Sequence, residues 1–494
     1  MKQRGLLGNT YVRRFLRSSW ALYSVPRLTT TLVYMLQNTE YHPAPYLRWF
    51  WRTQDFSQVM HRRQLDATPA ARLLRYGLFV GVGLHIIAAA LWIYASVVTS
   101  SPGGVWYGAA ALVAYPVVWA HVLALAVWLG DVCVRRPREQ RHAATAAQLF
   151  RQHPGKRIAI AGSYGKTSMK ELLRTVLSEG LVVAATPGNM NVVSSHARFA
   201  SSLTGAEDVV LVEFGEGKPG DIAQFAAVFQ PTHAVITGLA PAHLDHYKTV
   251  AAAGADIFSL ASVVPPSQIY VNADAPAAHD FLQPDFRIYS QSTVLGWRVQ
   301  KAVTSIAGTS FELVKGKRRL RLHSRLVGLH QVGPLAFAAA VGLQFGLSEK
   351  QVAAGLAKTE PFEHRMQPYR LGKAWVIDDT YNGNLEGIKA GTALLAELKA
   401  TRKLYVTPGL VDQGKDTADI HRQVGRLIAS ARPDVVVLMR NSAAPHIQAG
   451  LEDTDYIGEL LVQDNPLEFY TNLSSFLAAG DVVLMQNDWT DNYA

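Results

Sequence analysis

Residues 161 to 168 read AGSYGKTS: Gly162 and Gly165 bracket Ser163 and Tyr164, and Lys166, Thr167 and Ser168 follow at once. Glycines let a backbone turn its N–H groups inward, a lysine adds a point charge, and a hydroxyl can ligate a hard cation. Together these groups suit the phosphates of a nucleotide with its Mg²⁺. The common phosphate loop, GxxxxGK[ST], places four residues between its glycines, and this one places two. We read it as a shortened variant, with Lys166 on the β- and γ-phosphates of a nucleotide and Thr167 on the metal.

Two other positions suit the same chemistry. In DVVLVEFGEG, residues 208 to 217, Glu213 follows the apolar run Val209 to Val212. In AVITGLAPAHLDHY, residues 234 to 247, a short apolar run leads to His243, Asp245 and His246. Ligands bind open α/β sheets at the carboxyl ends of parallel strands, so Glu213 is expected to hold the metal and His243 to be a second ligand. A lone histidine is more often structural, and it is the place beyond a third strand end that favours the ligand role.

The elements that must position these groups follow from periodicity. RIAIA, residues 157 to 161, reads as a short buried strand. Met169, Leu172, Leu173, Val176 and Leu177 then mark one face of a helix that stops at Gly180. The loop therefore joins a strand to a helix N-terminus, where free N–H groups and the helix macrodipole favour phosphate. Further strands are expected at 375–377, 404–407, 435–439 and 482–485. By composition alone the DDTYNGN that follows the first of these is an ordinary polar turn.

In order and spacing, these motifs resemble the Mur ligase family, and within it the branch that adds D-alanyl-D-alanine to UDP-N-acetylmuramoyl-tripeptide. The shortened GxxGKT loop is a habit of that family, shared with folylpolyglutamate synthases. The resemblance runs over about 155 to 486 through TPGNMN (186–191), EFGEGKPGDI (213–222), ITGLAPAHLDHY (236–247), YVNAD (270–274), GLHQV (328–332), EHRMQ (363–367), IDDTYNGNLEGIKA (377–390) and DIHRQVG (419–425). It implies an ATP-dependent ligase that activates a carboxylate as an acyl phosphate and lets an amine displace the phosphate. It implies that Gly162, Ser163, Tyr164, Gly165, Lys166, Thr167 and Ser168 bind ATP, with Asn189 near the phosphates. Thr167 and Glu213 would hold one Mg²⁺ and His243 a second, with Lys166, Glu213 and His243 as the catalytic set. Gln331 would meet adenine, Asp379 the ribose, and Arg365, Tyr381 and Asn382 the nucleotide from a second domain that closes over it. His421 matches a family position or packs and caps its helix. Arg440 and Asn441 end a strand where an amine substrate could bind.

Four departures accompany the resemblance. Gly254 stands where the family has a carbamylated lysine, so Asp256 through water, or a single metal, would have to serve. Gln331 replaces an asparagine. QNDWTDNYA, residues 486 to 494, replaces a basic ending, and nothing before residue 150 resembles the family's UDP-binding domain.

What precedes residue 150 reads as a membrane anchor. Residues 76 to 98 and 105 to 130 carry no formal charge, and 23 residues make a helix of about 34 Å. SSPGG at 100–104 leaves a tight turn between them. The runs are too long for core helices, and the first lies too deep for a signal peptide. Arginines flank both outer ends, which places both termini in the cytoplasm at the cell membrane. His85 and His121 are expected to pack helices. The net charge of +10 falls almost wholly on residues 1–75, so the catalytic part is not expected to bind nucleic acid. Those 75 residues mix aromatics with arginine, which suits a headgroup layer or a small helical domain on the catalytic part. The single cysteine, Cys133, forbids an internal disulfide.

The expected architecture is α/β: a basic cytoplasmic segment (1–75), a two-helix transmembrane hairpin (76–130), a linker (131–154), a central P-loop ATPase domain with a mainly parallel sheet (155–357) and a C-terminal Rossmann-like ligase domain (358–494). The expected partners are a muramoyl-peptide precursor, an amino-acid or dipeptide amine donor, the membrane, and membrane-bound cell-wall enzymes. Two other readings stand beside this one. A membrane-associated ligase of another amino-acid polymer would keep the chemistry and change the substrate. A weakened nucleotide-binding scaffold would bind ATP without turnover.

Overall fold

Uninterrupted apolar sequence builds two long helices, Pro69–Val98 and Pro102–Gly130, of 30 and 29 residues. The computed structural model, in which they lie, describes residues 17–39, 41–53, 56, 65, 67–188, 193–240, 244–381, 383–410 and 417–487. The chain divides into two units, Met1–Arg141 and His142–Ala494.

In the first unit the Thr68 hydroxyl caps the first long helix by accepting the Ala71 N–H at 3.1 Å. Small residues bring the helices together: a Cβ on Gly81 would strike the Trp119 ring, and one on Gly108 would strike Ile93. His85 bonds the Ala111 carbonyl across the helix pair at 3.1 Å, and His121 accepts the Trp51 indole N–H at 3.4 Å, so both pack helices as expected. Leu84, Leu91, Trp92 and Trp106 are exposed on the outer faces. Helices Val25–Asn38 and Pro43–Arg52 lay Leu28, Leu32, Leu36, Tyr46 and Phe50 against Leu78, Val82 and Leu123. These two helices thus form a layer on the pair of long helices.

Beyond Gly130 the chain does not loosen. Asp131, held by Arg135 and Arg136 at 2.5 and 2.8 Å, opens a wider-wound turn that leads into the helix Arg136–Gln152. The charged stretch read as a linker is therefore helical to Gln152.

The second unit holds two sheets. The larger contains β1 (Lys156–Ala161), β2 (Val183–Ala185), β3 (Val209–Glu213), β4 (His233–Ile236), β5 (Ile269–Asn272), β6 (Arg287–Tyr289), β7 (Thr293–Val294), β8 (Trp297–Ser305), β9 (Gly308–Lys315) and β10 (Arg318–Ser324). Its order is β10-β9-β8-β7-β6-β5-β4-β1-β3-β2, parallel from β2 to β6 and antiparallel beyond. The smaller contains β11 (Gln367–Leu371), β12 (Ala374–Asp379), β13 (Arg402–Thr407), β14 (Val435–Met439), β15 (Glu459–Gln463) and β16 (Asp481–Gln486). Its order is β11-β12-β16-β13-β14-β15, with only β11 antiparallel. Both central strand sets are apolar on both faces, because helices cover each side.

β1 lies between β3 and β4, with Ile160 paired to Glu213 and Ala161 to Ile236. Strand order reverses there, so the segments after β1, β3 and β4 converge on one crevice.

Candidate active site

AGSYGKTS leaves β1 and enters the helix Lys166–Leu177, as its flanking sequence predicts. Gly162 has φ +141° and Gly165 φ +75°, conformations that L side chains rarely adopt, and a Cβ on Gly162 would press on Gly238. The Ser163 N–H donates to the Gly238 carbonyl at 2.9 Å, and the Thr237 hydroxyl bonds the Ala161 and Tyr164 carbonyls. The end of β4 thereby fixes the loop. Tyr164 lies over Gly238, and burial, followed by the nearby Glu386 and Asp274 carboxylates, pushes its phenol up to about 12.

Lys166 Nζ donates to the Gly162 carbonyl at 2.6 Å and to Glu216 Oε2 at 2.8 Å. The Thr167 hydroxyl donates to Glu213 Oε1 at 3.0 Å, so the two residues expected to share a metal do meet. Ser168 follows, half-buried, in the first helical turn. Lys170, fully buried, donates to the Thr186 carbonyl at 2.7 Å and to that of Gly188, and stands 3.9 Å from Glu213 Oε2. His196 donates from Nε2 to the Glu213 carbonyl at 3.0 Å, and burial pulls its pKa down to about 4.

Three buried oxygens in this crevice have no hydrogen-bond partner among the described residues: Ser163 Oγ, Glu213 Oε2 and Glu216 Oε1. Buried polar atoms are rarely left so. A hydroxyl that can donate and two carboxylate oxygens that can only accept, beside a lysine at a helix N-terminus, fit a polyphosphate and a hard cation.

A second metal finds less. A Cβ on Gly254 would fall on the Phe281 ring and within 2.9 Å of Leu239 Cδ2, so apolar side chains fill the space a lysine would need. Asp256 accepts the Tyr247 hydroxyl at 2.7 Å and the Gly220 N–H at 2.9 Å. Each of its oxygens thus already accepts one hydrogen bond within the fold. His243, Asn189 and Asn382 lie outside the described residues.

The smaller sheet presents the other expected residues. Asp379 ends β12 and accepts the Met366 N–H at 3.1 Å and the Gln486 carboxamide at 2.8 Å. Burial is the main reason its pKa rises to about 7, and Asp378 adds to it while Gln486, Met366 and Arg365 oppose it. The Arg365 guanidinium stacks 4.4 Å from the centroid of the Tyr381 ring. Gln331 touches His330 at 3.0 Å and precedes the helix Val332–Gln344. His421 accepts the Leu410 N–H at 2.9 Å and bonds the Thr417 carbonyl at 2.6 Å, so it ties the end of one described segment to the start of the next. Asn441 caps the Ala443 and Ala444 N–H groups, and Arg440 pairs with Asp464.

Sequence reasoning passed over Glu216, Lys170 and Gln486. Glu216 sits in the quoted EFGEG motif, three residues beyond Glu213, and Gln486 opens the ending that read only as a departure. Lys170, one of several charges in KTSMKELLR, gave no signal.

The Mur ligase middle domain matches residues 160–342, and the Mur ligase glutamate ligase domain matches residues 364–486. The chain belongs to the Mur ligase family. It is an ATP-dependent, ADP-forming ligase of that family. UDP-N-acetylmuramoyl-tripeptide--D-alanyl-D-alanine ligase of Mycobacterium tuberculosis (strain CDC 1551 / Oshkosh) is 30% identical to this Mur ligase over 354 residues, which span 67% of this chain and 69% of that one. The enzyme of the same name from Escherichia coli (strain K12) is 28% identical over 59% of this chain and 66% of its own. The crystal structure of MurF from Acinetobacter baumannii shares the fold with a TM-score of 0.62 at 20% identity, covering 71% of this chain and 77% of that one. MurF ligase from Thermotoga maritima in complex with ADP also gives 0.62, at 19% identity, over 71% and 80%.

Proposed function

We propose that this Mur ligase joins an amine, D-alanyl-D-alanine or one like it, to the terminal carboxylate of a muramoyl-peptide precursor at the cytoplasmic face of the cell membrane. The observation that carries the reading is the crevice around Lys166, where the loop's Ser163 Oγ and the buried Glu213 Oε2 and Glu216 Oε1 lack hydrogen-bond partners among the described residues. The names of the relatives supply the substrate class.

The chemistry balances without a redox partner. The substrate carboxylate attacks the γ-phosphorus of ATP, the bond to the bridging oxygen breaks, and ADP leaves. The amine then attacks the acyl phosphate carbonyl, the C–O bond breaks, and inorganic phosphate and a proton depart. Loop N–H groups and the helix N-terminus hold the phosphates, while Lys166 exchanges its Glu216 contact for the transferring group. Thr167 and Glu213 are placed to hold one Mg²⁺, which supplies charge neutralisation when bound. Asp379 and the Arg365–Tyr381 stack grip the nucleoside from the smaller sheet.

The membrane part of the reading rests on two helices long and apolar enough to span, with arginines at their outer ends. The hairpin stands where the family's UDP-binding domain would be, which favours a lipid-linked acceptor. The test is release of ADP and phosphate from the full chain in nanodiscs, offered UDP-linked or lipid-linked muramoyl tripeptide. Release that needs both the peptide and D-alanyl-D-alanine supports the ligase reading. Nucleotide binding without turnover on either acceptor overturns it.

A further inference from the structure

The near-neutral charge of residues 76–494 conceals a local concentration. From Trp297 to Arg325, which is β8 to β10 and the residue after them, there are eight lysines and arginines and one acid, Glu312. Glu312 is shared by Lys301, Arg319 and Arg321, while Arg318 and Arg325 pair with Glu349 and Glu360. Arg298, Lys315 and Lys317 have no carboxylate partner among the described residues.

At the end of these strands a cavity of about 720 Å³ opens, lined by Trp297, Leu295, Leu343 and three cations, Arg287, Lys315 and Arg318. Lys315 Nζ lies 5.9 Å and the Arg318 guanidinium 5.0 Å from the centroid of the Trp297 ring. Arg287 donates to the Gln344 carboxamide at 3.4 Å, bonds the Tyr270 hydroxyl, and has no carboxylate partner among the described residues. His233, at the start of β4, is pulled down to about 4 by burial and then by Lys156 and Arg287.

The cavity is separate from the crevice around Lys166. Arg287 opens β6 as Lys156 opens β1, so it lies at the amino ends of the parallel strands, and the nucleotide loop lies at their carboxyl ends. The chain also enters the sheet at this amino end, from the helix Arg136–Gln152. A pocket with apolar walls, a tryptophan and three cations fits a phosphate that carries an apolar body.

We propose that this cavity seats the phosphate of an anionic phospholipid headgroup, with the basic ends of β8 to β10 lying along the same lipid surface. It rests on the reading of the hairpin as membrane-spanning, which puts such lipid within reach of every copy.

The test is hydrogen exchange on the full chain in nanodiscs of phosphatidylcholine alone or with phosphatidylglycerol, with lipid affinity measured by titration in detergent. Segments 287–297 and 313–320 should gain protection only with phosphatidylglycerol. R287Q/K315Q/R318Q should weaken phosphatidylglycerol binding on the order of a hundredfold while leaving ATP turnover in detergent unchanged. K315Q alone, at an exposed side chain, gives a smaller loss in the same direction and guards against misfolding of the triple variant. Equal protection in both discs, or protection by soluble UDP or pyrophosphate with none from lipid, overturns the proposal. A chain that stays out of neutral discs refutes the hairpin reading and the proposal together. One that inserts yet shows no lipid protection refutes the proposal alone.

Discussion

Lys166 Nζ sits 2.8 Å from Glu216 Oε2, an ion pair whose side chains are only 13% and 2% exposed. The ammonium that is to meet a phosphate is thus already neutralised by a carboxylate on the wall of its own crevice. Breaking such a buried pair from one side leaves an uncompensated charge, at about 3 kcal/mol or more. Lys166→Ala should abolish ligation and lower the melting temperature of the catalytic unit. Glu216→Gln added to Lys166→Ala should restore most of the stability and none of the activity. Two single variants whose melting shifts simply add would show that the pair is not coupled.

Asp379 should make stability depend on pH in a direction unusual for a carboxylate. Its pKa in the folded protein, raised to about 7, exceeds the ordinary unfolded value, so the folded state keeps a proton that the unfolded chain has released. The stability it contributes is present below about pH 4 and is lost as pH climbs toward 7. Asp379→Asn should therefore melt higher than the parent at pH 8, with the difference vanishing near pH 4. A difference that grows on acidification would contradict this. If Asp379 also accepts a ribose hydroxyl, parental ATP affinity should rise between pH 6 and 8, and the variant should show no such rise.

Gly254 tests the metal count. With Phe281 and Leu239 on either side, Gly254→Ala overpacks the site and should cost about 1–3 kcal/mol, read as a lower melting temperature. With no lysine to carbamylate, turnover should be the same in bicarbonate-free and bicarbonate-supplemented buffer. A rate that falls on removing carbon dioxide would point to a carbamate elsewhere in the chain.

The Arg365–Tyr381 stack predicts an effect on binding rather than on the chemical step. Arg365→Ala should raise the KM for ATP by roughly two- to fivefold, the worth of an exposed cation–π contact, with kcat little altered. Arg365→Lys should recover only part of the loss, because an ammonium lacks the planar face. A fall in kcat at constant KM would instead place Arg365 at the reacting group.

Much of the frame was legible because it rests on local pattern. The apolar run Val435–Met439 is the strand β14 itself, and the expected strands at 404–407 and 482–485 are the cores of β13 and β16. The helix after the loop ends at Leu177, three residues before the glycine expected to stop it. The long helices begin earlier than their uncharged runs, at Pro69 and Pro102, because a proline fits the first helical turn and charge does not bar a helix. What escaped depends on partners distant in sequence. Glu216 meets Lys166 fifty positions away, and Gln486 meets Asp379 across 107 positions. No period or composition encodes such pairs. The basic end of β8 to β10 escaped for another reason: a sum over 76–494 cancels it against acids spread elsewhere.

Gln486 also has a temporal meaning. Its strand, β16, enters between β12 and β13 in the middle of the smaller sheet and follows β12 by about a hundred residues. While the ribosome is still making that intervening stretch, β12 and β13 each present a bare edge, the kind of surface that draws neighbouring nascent chains into aggregates. Slow translation through residues 410–480 would lengthen that exposure, so codon choice and chaperone supply over this interval bear on yield in a way that no active-site substitution would reveal.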